Sequence, residues 1–473
     1  MKDKIIEGLS WNSISAMVIA IVSFIYSIIT ARLIGPELIG EIIVYISIVE
    51  LISTISNFSF GNTIIQNNDI SSNKLMGTGL CLSIFTSIIF LFIGGVYTVY
   101  FIKDSFKLYF IILLIFKSFA IIGSVFDAAI KKDFKFKRES KLRITINIKA
   151  LVLSVILILN DFPIAAIVLN YGFKQMIVLF LFFFLPSKYK HFSFDKSLIK
   201  IFIKNGKYLF VSSSIARLRD YIDKYIINFF VNPSKIAIYS KGQGLSRIIP
   251  NLILTVVRSI FLSTFSNYQT QVDKTKFIIK NSAILLIRLN IFVSISLAIC
   301  STEVVYILLG NAWIDSALIM KIGVISAIIY PLITFQRMIL LGNGEYSVTT
   351  KISVVDFLSY IIFMLIGSKY FGVIGLVMGI NISSIIVLLI TNKSILYKFN
   401  ISIFEGSKSF IMFNFIIYYL ILKFNVLFQF NIFLSVFIKM SIYVSLVVIY
   451  ILCFDRKNLN VLTLIKDLKS KKQ

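Results

Sequence analysis

This chain has little of what soluble proteins and enzymes depend on. Of its 473 residues only 15% are charged, and it holds one histidine, three cysteines and six prolines. A single histidine cannot build a histidine-based triad or zinc cluster. His191 lies in the Lys-rich stretch SKYKHFSFDKS and reads as a surface loop residue. Cys81, Cys300 and Cys453 fall in or beside apolar runs, so they read as small core residues rather than a disulfide framework. No GxxxxGK[ST] phosphate loop occurs, which leaves no visible ATPase, and neither a cofactor nor a metal site is expected. Long outer loops able to house catalysis are also lacking, and the chain reads as a non-enzyme.

What is abundant is apolar. Hydrophobic residues make up 58% of the chain and the mean hydropathy is +0.91. That composition excludes a soluble globule and predicts an all-α polytopic membrane protein. Runs of about 17–25 apolar residues are long enough to cross a bilayer as helices. Fourteen are present, near 12–34, 40–60, 78–102, 108–127, 142–160, 163–185, 206–231, 237–260, 281–302, 317–341, 350–368, 372–392, 408–424 and 431–454. The first is not followed by a small-residue cleavage site and reads as a retained helix.

The formal charge of +26 sits in short clusters between these runs, which argues against nucleic acid as a partner. With the N-terminus inside, the inner loops hold KKDFKFKRESKLR (131–143), KYKHFSFDKSLIKIFIKNGK (188–207), DKTKFIIK (273–280) and the basic tail, while the outer loops hold single lysines. This is positive-inside sorting, and it places both termini in the cytoplasm.

An internal echo divides the chain. LIGPELIGEIIVY (33–45) follows the first run and FVNPSKIAIY (230–239) follows the seventh; matching Pro36 to Pro233 sets an offset of 197 residues. Proline there marks a helix end and a fresh start. Six spans per repeat is an even number, so the repeats run parallel. The expected division is an N-terminal six-helix bundle at 1–196, a second at 197–400, and two further helices with a basic tail at 401–473.

The seventh run, within 206–231, carries Arg217, Arg219, Asp220, Asp223 and Lys224 near its middle. A charge at the centre of a lipid-facing helix costs at least about 2.5–3.5 kcal/mol, so five cannot face lipid. At 100° per residue Arg217, Asp220 and Lys224 share a face, with Arg219 and Asp223 beside it. The i,i+4 spacing allows Asp220–Lys224 and Arg219–Asp223 pairs. Further cations lie deep in other runs: Lys117, Lys174, Lys241, Arg247 and Arg288. Arg32, Arg258, Lys321, Arg337 and Lys439 lie nearer run ends, where long side chains snorkel. Cations outnumber acids, which points to a hydrated cationic cavity suited to phosphate or diphosphate oxygens. Glu50, Asp220, Asp223 and Asp356 are the acids available to bind a coupling proton or sodium ion. Asp356 also reads as a helix-start acid favoured by the dipole.

Residues 11–66, with ARLIGPELIG and a later G…IIQ, resemble the opening of the Wzx-type polysaccharide flippases. RLRDYIDKYIINFFVNPSKIAIYSKGQGLSRIIP (217–250) is similar to that family's seventh and eighth spans, and VYILLGNAWIDSA (305–317) to its outer turn before the tenth. The resemblance covers about the first 400 residues. It implies the multidrug/oligosaccharidyl-lipid/polysaccharide exporter superfamily, two six-helix bundles, alternating access and the bacterial cytoplasmic membrane. The implied cargo is undecaprenyl-diphosphate-linked oligosaccharide for capsule or O-antigen, with membrane lipid, a polysaccharide polymerase and glycosyltransferases as partners. By resemblance, Arg217, Arg219, Lys224, Lys241 and Arg247 line the lumen. The family's acid before IIQ is replaced by Asn57-Phe58-Ser59-Phe60-Gly61, which weakens a coupling role there. Two rival readings remain: a cation-coupled multidrug antiporter of the same fold, which calls for an acid-dominated cavity, and a membrane glycan polymerase or glycosyltransferase.

Overall fold

A computed structural model describes residues 2–56, 60–66, 72–132, 136–184, 193–268, 272–423 and 431–454. His191, residues 57–59, the centre of the 131–143 loop, much of the loop before 193 and the tail 455–473 lie outside the described residues. The described elements are all helical. In order they are α1 (Lys2–Leu33), α2 (Pro36–Ser56), α3 (Phe60–Gln66), α4 (Ser72–Phe101), α5 (Asp104–Lys132), α6 (Phe136–Leu159), α7 (Pro163–Phe180) and α8 (Ser197–Ile227). Then follow α9 (Pro233–Tyr268), α10 (Val272–Ile299), α11 (Ser301–Leu309), α12 (Ser316–Gly342), α13 (Tyr346–Phe399), α14 (Lys408–Lys423) and α15 (Ile432–Phe454).

This is an all-α, multi-pass membrane protein. Among the described residues, nine helices are long and apolar enough by length and composition to cross a membrane. The remaining apolar runs fall on the charged helices α2, α8 and α9, on the 16-residue α14, and within α13. At 54 residues α13 is twice a crossing; it turns at Gly372, whose φ of +56° and ψ of −133° suit only glycine. Its two halves pack closely because Gly367, Gly375 and Gly379 present bare backbone there: a Cβ on Gly379 would run into the Phe363 carbonyl, and one on Gly375 into that of Gly367. Gly375-x-x-x-Gly379 is the small-residue spacing that lets membrane helices approach.

Proline opens α2, α7 and α9, where its missing N–H has no partner to lose. Inside α12, Pro331 frees the Ala327 carbonyl, and the defect is repaired from α10. Asn290 Nδ2 donates to Ile328 O at 2.9 Å and to Ala327 O at 3.4 Å. One turn earlier an amide from α13 enters the same helix. Asn381 Oδ1 accepts the Ser326 N–H at 3.0 Å and its Nδ2 donates to Ile322 O at 2.9 Å, spanning an i→i−4 pair of the ladder. Buried hydroxyls are satisfied more locally: Thr30, Ser47, Thr98 and Thr391 each bond the carbonyl four residues back. In hydrocarbon, each backbone group left without such a partner would cost several kcal/mol.

The chain forms two compact units, residues 1–237 and 238–473. In the first, α5 packs on α4 and α7, α1 on α6, and α8 on α2 and α3. The loop before α8 is seated on α4: Thr78 and Asp195 exchange hydrogen bonds, and Lys74 lies 3.0 Å from the Asp195 carboxylate. The Ser197 hydroxyl, the Lys74 ammonium and the Ser197 N–H pull the half-buried Asp195 carboxyl down to about 2. In the second unit α12 packs on α10 and α13, and α14 lies on α10.

Replacing Gly379 with valine should weaken the α13 hairpin by about 1–3 kcal/mol, as overpacking does. Gly95→Ala, whose Cβ meets nothing within 4 Å, should leave stability unchanged or slightly raised. Thermal unfolding of both variants in detergent checks the contrast; equal melting temperatures would exclude the close approach.

Candidate functional site

Four helices of the first unit bring charges together at its centre. α5 buries Phe110, Leu113, Leu114, Lys117 and Ile121 on one stripe at helical spacing, so the Lys117 ammonium enters the interior with its apolar neighbours. It meets Glu50 of α2. Lys117 Nζ lies 2.8 Å from Glu50 Oε1 and 2.7 Å from Oε2. The two residues are only 8% and 5% exposed, so their charges must answer each other. Tyr171 of α7 donates its hydroxyl to Glu50 Oε1 at 2.5 Å. α8, which carries Arg217 and Tyr221, packs against α2. One turn after Tyr171, Lys174 sits 5.2 Å from the centroid of the Tyr26 ring of α1.

The arrangement is expensive to build and hard to break. Each buried ion forfeits several kcal/mol of hydration, which close pairing with further hydrogen bonds offsets. The Tyr171 hydroxyl supplies that extra bond to Glu50. Removal of either charge would leave the other stranded.

Further along α8 the pairing differs from simple i,i+4 expectation. Lys224 Nζ bonds the Asp223 carboxylate at 2.9 Å and the backbone carbonyl of Asp220 at 2.9 Å. Asp223 is buried, Asp220 is exposed, and Arg217 and Arg219 are half-buried.

In the second unit, α9 carries Lys241 and Arg247, both half-buried, with Lys241 Nζ 5.6 Å from the centroid of the buried Trp313 ring. That distance is within cation–π range. Arg288 is used differently: its Nη2 donates to Gly406 O at 2.9 Å, and its guanidinium lies 5.7 Å from the Phe410 ring centroid. It fastens the connection that leads into α14. Arg337 of α12 bonds Asp356 of α13 at 2.7 Å, so Asp356 is a paired interior acid rather than an isolated helix-start residue. Lys439 does not snorkel. It is buried and paired with Glu303, which also accepts from Ser435 at 2.8 Å.

Thus the candidate cation Lys117 meets the candidate acid Glu50, and Lys224 meets Asp223. Sequence reasoning missed Tyr171, Trp313 and Glu303. A tyrosine in the middle of a span needs a partner for its hydroxyl, and that was the available signal for Tyr171. Glu303 falls one residue beyond the ninth apolar run, where an acid reads as solvated.

Residues 29–318 match the family described as Polysaccharide biosynthesis protein. The chain belongs to that family. A curated relative is the lipopolysaccharide biosynthesis protein WzxC of Escherichia coli (strain K12), 19% identical over 398 residues, spanning 82% of this chain and 80% of the relative. Among solved structures, the inward closed conformation of the lipid II flippase MurJ superposes with a TM-score of 0.72 at 15% identity, covering 94% of this chain and 99% of that one. An inward-facing multidrug resistance MATE family transporter gives 0.63 at 13% identity, covering 81% and 94%. These likenesses establish the fold, and its membership agrees with the all-helical, multi-pass architecture.

A double-substitution cycle tests the central pair. Lys117→Met alone should cost about 3–5 kcal/mol, because it strands the buried Glu50 carboxylate. Glu50→Leu together with Lys117→Met should recover most of the loss. Thermal unfolding of the purified variants checks this; a double variant less stable than either single would show that the two charges are not coupled.

Proposed function

We propose that this protein is a flippase that carries a lipid-linked, diphosphate-borne oligosaccharide across the cytoplasmic membrane by alternating access. Membership of the polysaccharide biosynthesis family supports this reading. So do a relative named for lipopolysaccharide biosynthesis and a structural neighbour named as a lipid II flippase. The single observation carrying it is chemical: the interior cations Lys117, Lys174 and Arg217 in the first unit, and Lys241 and Arg247 in the second, suit an anionic cargo better than a neutral or cationic one.

On this reading the diphosphate is the recognised group. Its two phosphates would replace lost water with ammonium and guanidinium donors, which offsets their desolvation. The polyprenyl chain would stay in lipid. The alternation of Lys/Arg between loops supports cytoplasmic termini. We further propose that the repeat, 1–196 and 197–400 with 401–473 appended, is the moving unit. α8 begins the second repeat in sequence yet packs on α2 and α3 in this structure, which makes it the wall that must shift for cargo to reach Lys117. Asp223 and Glu50 are proposed as the acids through which an ion gradient acts. An assembled polymerase and glycosyltransferases would supply the cargo and consume it.

The experiment is lipid analysis by mass spectrometry in a deletion strain, with complementation by variants. Loss of the protein should cause the complete diphosphate-linked repeat unit to accumulate. Joint Arg217→Gln, Lys241→Gln and Arg247→Gln should lower complementation by about tenfold or more at normal protein level, as loss of charged contacts does. A truncated unit would instead indicate a glycosyltransferase. An unchanged lipid-linked pool with altered drug susceptibility would favour a multidrug antiporter.

A further inference from the structure

We infer that Glu50 is a selectivity element: an internal carboxylate that occupies Lys117 and must be displaced, so that a diphosphate is admitted and a monophosphate is turned away. The inference rests on the reading that the cargo is a diphosphate-linked lipid. It comes from the competition that the geometry sets up.

Lys117 is not waiting for a ligand. Both oxygens of Glu50 lie on its ammonium, at 2.8 and 2.7 Å, and the Tyr171 hydroxyl donates to Oε1 of the same carboxylate at 2.5 Å. An incoming anion must therefore do better than a carboxylate that is already in place and already hydrogen-bonded. A single phosphate that captures Lys117 exchanges one anion for another and leaves Glu50 buried without its counter-charge. That exchange yields no net gain. A diphosphate has a second phosphate. Arg217 stands on α8, which packs against the α2 that carries Glu50, so a group reaching from Lys117 toward α8 would gain a guanidinium contact that a monophosphate is too short to make. The surplus offsets the release of Glu50. Discrimination thus arises from a built-in competitor as much as from attraction, which is how specific sites exclude near-relatives of their ligand.

The distinction matters in a membrane, where polyprenyl carriers with one phosphate and with two share the same lipid tail and differ only in charge and reach. Tyr171 enters as a positioning residue. It touches Glu50 and not the cargo, and it sets how firmly the competitor is held.

The test uses farnesyl diphosphate and farnesyl phosphate as probes, with the full-length protein in detergent and affinity measured by microscale thermophoresis. Wild type should bind the diphosphate about tenfold or more tightly than the monophosphate, the ratio expected for one added charged contact. Glu50→Gln should raise monophosphate affinity and shrink the ratio to about threefold or less, because the competitor has lost its charge. Tyr171→Phe, which retains every charge and should fold normally, should shrink the ratio in the same direction by a smaller factor. If both variants bind the diphosphate with the wild-type ratio, or if wild type binds the two probes equally, the inference is overturned while diphosphate recognition stands. If wild type binds neither probe, the proposed cargo chemistry falls, and the inference falls with it.

Discussion

An ion taken into hydrocarbon must find its counter-charge there, and much of this structure follows from that rule. Glu50 and Lys117 come from helices 67 residues apart in sequence and meet in the middle of the first unit. The Arg337–Asp356 and Lys439–Glu303 pairs do the same work in the second. Replacing any of them with well-packed apolar residues would cost little or even stabilise the fold, since desolvation consumes most of what Coulomb attraction returns. Their presence is therefore a poor argument for stability and a better one for register and function. The Lys439–Glu303 pair sits where α15 meets α11, so it fixes one helix on another. The Glu50–Lys117 pair draws on α2, α5 and α7, and α2 also packs on α8, the helix that carries Arg217, Asp220, Asp223 and Lys224.

The same rule governs the backbone. α12 is interrupted at Pro331, where Asn290 of α10 bonds the carbonyls of Ala327 and Ile328, and Asn381 of α13 bonds its backbone one turn earlier. A helix repaired by side chains is easier to bend than one held by its own ladder, because an amide can exchange partners in place. Gly372 gives α13 a fixed turn instead, enforced by a backbone conformation that other residues rarely adopt.

Much of this architecture was legible in the sequence because bilayer thickness imposes a length on every span. Apolar run length located the helices, and Pro36 and Pro233 marked helix starts. The turn in α13 was legible as two runs meeting near Gly372. What run length cannot convey is which interior charge faces which. Lys117 and Lys439 look alike in the sequence as lone cations, and nearness to a run end makes Lys439 read as snorkelling; in the fold it is buried against Glu303, which stands just outside an apolar run. Lys224 was matched to Asp220 by i,i+4 spacing. In the fold it takes the adjacent Asp223, since the long lysine stem can curl back along its own helix. Arg288 read as a cavity cation because depth was the only visible criterion, and the loop that receives its guanidinium is 118 residues away in sequence.

If the cargo is the diphosphate proposed above, the central cluster resolves a conflict that any carrier of anions faces. Cations strong enough to draw a diphosphate out of water would be costly to hold in an empty site, and would retain any anion that arrived. Giving Lys117 a resident carboxylate removes both difficulties. The resting state is neutral at that point, and the cargo's net gain is only the difference between its contacts and those of Glu50. A transporter needs that difference to be small, because cargo bound too tightly on one side cannot leave on the other. Tyr171, by holding Glu50 ready to return, favours release as much as it resists entry. On that reading a modest affinity is a condition of turnover rather than a defect of the site.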